Sequence, residues 1–343
     1  MREKRGTGRR KRVTGDGIMP VDWNSFLRVD QNKQELFSFL GQKVIELDTD
    51  KLVITTQGPI VLSNRPLDAQ TKLSPCSHEE ADTRLIVHLS DAANNHRRIL
   101  IRTVDTDVVV LAIAAAARHP GLEVWIAVGV GQNYRYISAH DIASMLGPEK
   151  ASCLPLFHSF SGCDTVSSFS SIGKKTAWDV WYLFPDISEA FQSLSEAPTE
   201  ISAYDRALLE RYVVLLYDRT SNFPDVNSAR GHLFAKVGRQ IDNIPPTSEA
   251  LLQHARRAVY QGGHIWGQAE VATPSLPNPG DWGWQFVNGA WQPFWTALDE
   301  ASKTCRELWK CGCKKGCKSM RCRCRKAVLK CTALCKCTCV PAC

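Results

Sequence analysis

A chain of 343 residues has room for about two or three domains, and 44% hydrophobic with 22% charged residues is ordinary for a globular protein. The basic N-terminus lacks the apolar core of a secretory signal, and the longest apolar run, Val108–Ala117, falls short of the roughly 20 residues that a membrane span requires. A soluble, intracellular protein without a membrane partner is therefore expected, in a compartment where thiols stay reduced and clustered cysteines bind metal.

The net charge of +7 is unevenly spread. Residues 1–13 carry seven Lys/Arg against Glu3, and residues 305–343 carry eleven against Glu307. With those ends set aside at +6 and +10, the body is left at −9. An acidic middle between basic ends assigns attraction for nucleic acid to the ends. For the N-terminal run, a solubilising tail or a nuclear-import signal at Arg9–Arg12 is an equal reading.

In chain order, residues 1–30 read as a basic, unstructured segment. Leu36, Phe37, Phe39 and Leu40 predict a helix over 31–42 that ends near Gly41. Val44–Leu47 and Leu52–Ile54 are strand candidates around an Asp-rich turn, and a helix follows near 79–94. The middle then alternates: strand Ile99–Val104, helix 107–118, strands Val124–Val128 and Tyr134–Ile137, and helix Ala139–Leu146 closed by Gly147-Pro148. This rhythm predicts an α/β fold with a Rossmann-like parallel sheet. Beyond 153 the pattern is helical, with helices near 153–161, 174–183, 186–194, 202–219, 226–239 and 247–260. Residues 265–297 scatter Trp266, Trp282, Trp284, Trp291 and Trp295 among prolines and glycines. They are read as pins that fix an irregular segment onto the helical body; a base-stacking surface is the alternative.

Acids gather where such a sheet binds ligands, outside the carboxyl ends of its strands. Thr103-Val104-Asp105-Thr106-Asp107 follows the first central strand directly. Two acids there call for something positive between them, although Thr106 or Asp107 can equally cap the next helix. Glu79, Glu80 and Asp82 open the helix near 79–94, where the helix dipole also favours them. Gly162-Cys163-Asp164 comes later, followed by Ser171-Ile172-Gly173-Lys174-Lys175-Thr176-Ala177.

This ordered set, over residues 77–180, resembles the flap-endonuclease (XPG-type) branch of the PIN-like nucleases. The counterparts of its E-A-E/D, D-x-D, G-C-D and helix-hairpin-helix motifs are Glu80-Ala81-Asp82, Asp105-Thr106-Asp107, Gly162-Cys163-Asp164 and the segment 171–177. The resemblance implies that Glu80, Asp82, Asp105, Asp107 and Asp164 bind two divalent cations, Mg²⁺ or Mn²⁺, for phosphodiester hydrolysis. It also implies that the backbone at Gly173, with Lys174 and Lys175, meets a DNA phosphate. The family's two early strand-borne aspartates have no counterpart, since Asp16, Asp22 and Asp30 lie outside any convincing strand. The expectation is an N-terminally incomplete copy, or a core that keeps the nuclease fold without full catalysis.

The last segment is the densest in chemistry. Cys311, Cys313, Cys317, Cys322, Cys324, Cys331, Cys335, Cys337 and Cys339 fall within 29 residues, interleaved with Lys and Arg. Closely spaced C-x-C pairs favour metal thiolates over disulfides; a metallothionein-like buffer and a disulfide knot are the alternatives. The pattern resembles the tesmin/TSO1-like CXC domain, with one residue fewer before Cys317. That resemblance implies about three structural zinc ions shared by the nine thiolates. It also implies DNA contacts from Lys314, Lys315, Arg321, Arg323 and Arg325. Cys305 and Cys343 lie outside the pattern, and Cys76, Cys153 and Cys163 read as ordinary buried thiols.

The expected organisation is thus a basic segment (1–30), a PIN-like core with helix-hairpin-helix (31–180), a helical extension (181–264), a Trp/Pro-rich connection (265–304) and a zinc-folded tail (305–343). The layout resembles a set of animal proteins of mobile-element origin that join a nuclease-like core to a CXC-type tail. The expectation is a nuclear, zinc-dependent, DNA-associated protein; the alternative is an active, structure-specific endonuclease.

Overall fold

The computed structural model describes residues 8–68, 71–235 and 243–298, and in the tail 311–313, 316–317, 319–320, 322–326, 331, 335 and 337. It is a mixed α/β arrangement, mostly helical, around a small sheet.

Two helices open it, α1 (Trp23–Leu27), capped by Asp22 accepting from the Ser25 N–H at 3.0 Å, and α2 (Asp30–Ile45). The α2 helix carries on through Gly41 and Val44, so the strand expected at 44–47 is its last turn. The real strand pair is a hairpin, β1 (Ile54–Gln57) and β2 (Ile60–Ser63), turning at Gly58-Pro59. The N-terminal basic stretch lies on α2. Buried Asn32 accepts from the Lys11 N–H at 2.9 Å and donates to the Arg9 carbonyl, and Arg10 pairs with Glu35.

The central unit is α3 (Ala81–Ala93), β3 (Arg98–Thr103), α4 (Thr106–Arg118), β4 (Glu123–Val128), β5 (Arg135–Ser138) and α5 (Ala139–Leu146). Strands β3 and β4 are parallel, with Arg98 opposite Glu123 and Thr103 opposite Val128. The expected all-parallel sheet is not what forms. β5 runs antiparallel to β4, because the chain from Val128 to Arg135 is a tight turn, and a parallel crossover needs a dozen or more residues. The α4 run of apolar residues is buried nearly all round, as a helix apolar on every side must be. It packs on α3, α5, α6 and β4.

Gly147, at φ +79°, ends α5, and Pro148 starts α6 (Pro148–Phe160). The helix expected from 153 therefore begins five residues earlier. Gly147-Pro148, read as a stop, is also a start, since proline suits the first turn of a helix. The helix α6 borders both main cores. One joins it to α3, α4, β4 and α5 through Ala151 and Leu154; the other joins Leu156, Phe157 and Phe160 to the C-terminal helices. Those are α7 (Lys174–Leu183), α8 (Ile187–Ser195), α9 (Ala203–Tyr217), α10 (Val226–Ala235) and α11 (Ser248–Val259).

After α11 the chain widens into a π-helical turn, Tyr260–Ile265, and ends the body with a hairpin, β6 (Trp284–Val287) and β7 (Ala290–Pro293). Trp266 and Trp282 are buried and pin the segment, whereas Trp291 and Trp295 are exposed. In the tail one short helix, α12 (Arg323–Lys326), is described. Among the described residues no helix is long and apolar enough to cross a membrane.

Candidate functional site

Two helix starts and one loop bring the candidate acids together. Asp105 caps α4: its Oδ1 accepts the Asp107 N–H at 3.0 Å, while its own N–H donates to Thr103 Oγ1. The helix is thus capped by an acid of this motif, but by Asp105 and not by Thr106 or Asp107. Two residues on, Asp107 Oδ1 sits 2.9 Å from Nε2 of His158, a side chain only 7% exposed. Glu80 is the residue before α3, and Asp82 lies in its first turn. Asp164 stands in the loop between α6 and α7.

These carboxylates feel one another. Burial, and then the charges of Asp105, Glu80, Asp107 and Asp164, push the Asp82 carboxyl up to about 6. Asp105, Asp107, Asp164, His158 and Lys174 line one open cleft of about 800 Å³. No three carboxylates among the described residues bring their oxygens within 4.8 Å of one another; the only sets that tight are cysteines. The cleft thus has hard oxygen donors of the kind that divalent cations take, spaced more loosely than a closed coordination shell.

Glu80 is held from far along the chain. Gln261 Nε2 donates to both of its oxygens at 3.2 Å, and Trp266 Nε1 donates to Oε2 at 3.2 Å. An α-helix would set residues five apart roughly 140° from each other. The π turn, closed by the Trp266 N–H on the Gln261 carbonyl at 2.9 Å, turns both toward Glu80. Gln261 Oε1 accepts in turn from the Thr165 hydroxyl at 3.0 Å, which ties Glu80 to the Asp164 loop.

That loop is braced twice more. Lys174 Nζ donates to the His158 carbonyl at 2.7 Å, Ser161 Oγ at 3.0 Å and the Gly162 carbonyl at 2.6 Å. An ammonium has three donors, so all are used inside the protein, and desolvation pulls this amine down to about 8. Lys175 differs: it is almost fully exposed, with Asp179 3.9 Å away. Gly173 sits before α7 with open space beside it. Buried His254 on α11 joins the end of α6 to the middle of the loop, Nε2 on the Phe160 carbonyl at 2.8 Å and Nδ1 on the Ser167 hydroxyl at 3.1 Å. His158, Gln261, Trp266 and His254 went unassigned to the site in the sequence. The one signal was polar residues within otherwise buried helical stretches.

The cysteines form the second centre. Cys311, Cys322, Cys324 and Cys331 make one tight set, Cys311, Cys313, Cys317 and Cys322 a second, and Cys311, Cys317, Cys331 and Cys337 a third. Cys311 belongs to all three. The sulfur spacings are 3.6 Å for Cys311–Cys317, 3.8 Å for Cys311–Cys337, 3.6 Å for Cys324–Cys335 and 3.7 Å for Cys331–Cys317. Two sulfurs each about 2.3 Å from one tetrahedral zinc stand about 3.8 Å apart, whereas a disulfide needs about 2.05 Å. The donor set and its spacing fit zinc, and the disulfide knot is excluded for these pairs. A backbone N–H from Arg325 is the main cause that draws the Cys322 thiol down to about 6. Arg325 also donates to the Cys317 carbonyl at 3.3 Å. Cys339, Lys314, Lys315, Arg321 and the side chain of Arg323 lie outside the described residues, as do Cys305 and Cys343.

Comparisons with family models, with curated proteins and with solved structures find no match to this chain.

Proposed function

We propose that this is a zinc-dependent, DNA-associated protein of mobile-element origin, whose PIN-like core presents an acidic cleft for divalent cations. The observation that carries the core of this reading is the electrostatic grouping of Glu80, Asp105, Asp107 and Asp164 around Asp82. Five acids from three separated segments meet, and their crowding is relieved by positive charge. The cysteine sets supply the zinc-folded tail, and its lysines and arginines supply the attraction for phosphate.

A second reading, phosphodiester hydrolysis in the same cleft, is favoured by His158 on Asp107 and by Gln261 and Trp266 on Glu80. Partners of this kind hold ligating groups in one orientation. Mg²⁺ or Mn²⁺ there would lower the pKa of a water and stabilise the leaving oxygen. In this chain Glu80, Asp82, Asp105, Asp107 and Asp164 would hold the cations, and Lys174 would hold the loop that carries Asp164.

One experiment addresses both readings. The chain, expected to carry about three zinc ions by native mass spectrometry, is mixed with flap and single-stranded DNA in Mg²⁺ or Mn²⁺, beside Asp105→Ala/Asp107→Ala and beside chelator-stripped protein. Retention of DNA by both zinc-loaded forms and its loss on stripping support the first reading. Cleavage by the parent chain alone supports the second. An apo, disulfide-bonded tail, or binding indifferent to zinc, would contradict the proposal.

A further inference from the structure

The acidic cleft has a second wall of opposite character. It is formed by Arg257, Pro293 and Trp295, contributed by α11 and by the end of the β6–β7 hairpin. Trp295 is 58% exposed, so a large indole faces solvent beside a group of carboxylates. It is not a loose surface side chain. The Arg257 guanidinium lies 5.0 Å from the ring centroid, and Arg257 itself is 2% exposed. Its Nη1 donates to the Phe294 carbonyl at 2.6 Å and to the Gly283 carbonyl at 3.2 Å. The Phe294 N–H closes back on the Gly283 carbonyl at 2.9 Å. Gly283 is at φ +78°, and a Cβ there would stand 2.6 Å from the Gln253 carbonyl oxygen, so the hairpin is seated directly on α11. One face of the indole is therefore backed by a fixed cation, and the side chain remains open to the cleft.

Resting on the reading of this cleft as a nucleic-acid site, we propose that Trp295, backed by Arg257, is a stacking platform for one unpaired nucleobase of a DNA strand whose phosphate lies at the acids. The chemistry of the two walls selects this ligand. A strand offers a flat π-face, which stacks on an aromatic whatever the base, and an anionic phosphate, which cations can bridge to carboxylates. An apolar peptide or small molecule would leave the carboxylate wall unmatched. Paired bases already stack on their neighbours and would have to leave the helix to reach the ring. The platform thus selects unpaired or splayed strands over intact duplex. Trp291, also exposed, on β7, does not line the cleft and has no part in it.

The test uses the zinc-loaded full chain in Ca²⁺ and an oligodeoxythymidylate carrying a single 2-aminopurine, single-stranded or annealed to its complement. Anisotropy of an end label reports binding, and 2-aminopurine emission reports stacking. The expected result is a several-fold quench for the single strand and none for the duplex. The quench should vanish in Trp295→Ala, persist in Trp295→Phe, and be unchanged in Trp291→Ala. Single-strand affinity should fall on the order of ten-fold in Trp295→Ala. Binding without a quench, or a quench that survives Trp295→Ala, overturns the platform and leaves the cleft's cation reading intact. Failure of the oligonucleotide to bind at all overturns the DNA reading, and the platform with it.

Discussion

Asp82 is half-buried, and burial together with four neighbouring carboxylates holds its acid at about 6 instead of near 4. Between those values the folded chain keeps a proton that the unfolded chain has released. Stability supplied by this group is therefore full below about pH 4 and lost as pH rises through about 6. Asp82→Asn should flatten that slope and, without added Mg²⁺ or Mn²⁺, raise stability at pH 7.5 by about 1 kcal/mol, once solvent screening of a half-exposed group is allowed for. Urea melts across pH 4–8 read this directly, and a variant less stable at pH 7.5 would contradict it. The acids themselves were legible in the sequence because each sits at the start of a helix or in a marked loop, in a telling order. Their partners were not. His158 meets Asp107 from 51 residues away, and Gln261 reaches Glu80 across 181. No local spacing encodes such pairs. Lys174 taught the reverse: its position fits a phosphate ligand, yet its three donors are taken by the loop it braces, and only exposed Lys175 faces outward.

At the scale of elements, the π-helical turn Tyr260–Ile265 is what couples the C-terminal helices to the acids. It fits because Gly262 lies against α6, where a Cβ would stand 2.5 Å from Ser159 Oγ and 2.7 Å from the Leu156 Cα. Gly262→Ala must push these elements apart, with an expected loss of about 1–3 kcal/mol in urea unfolding, typical of an overfilled core. A change below about 0.5 kcal/mol would show that the turn is not so tightly seated. Helices α3 to α9 were legible from periodicity and from their Gly, Pro, Ser and Asp boundaries. The β6–β7 hairpin was missed because only four residues form each strand, although its turn pair, Asn288-Gly289, is one that hairpins favour. The direction of β5 was hidden as well, since strand direction depends on the connection and not on the strand's own residues.

At the scale of the whole molecule, two centres of different chemistry stand at two places in one chain: oxygen donors grouped by the fold, and sulfur donors grouped by the sequence. The sulfur set reads directly from spacing because its ligands are neighbours, and the structure adds the roughly zinc-matched sulfur distances. The oxygen set needs the tertiary fold, because the starts of α3 and α4 and the α6–α7 loop must be brought close enough for their acids to act on Asp82, with those of α4 and the loop lining the cleft. That grouping is the central claim. Its most direct test is Mn²⁺ binding followed by electron paramagnetic resonance on zinc-loaded protein, comparing the parent chain with Asp105→Ala/Asp107→Ala. The parent chain should take up at least one Mn²⁺ in a site lost from the double variant, with the tail's zinc content unchanged. Equal Mn²⁺ uptake by both proteins, or none by either, would contradict the account.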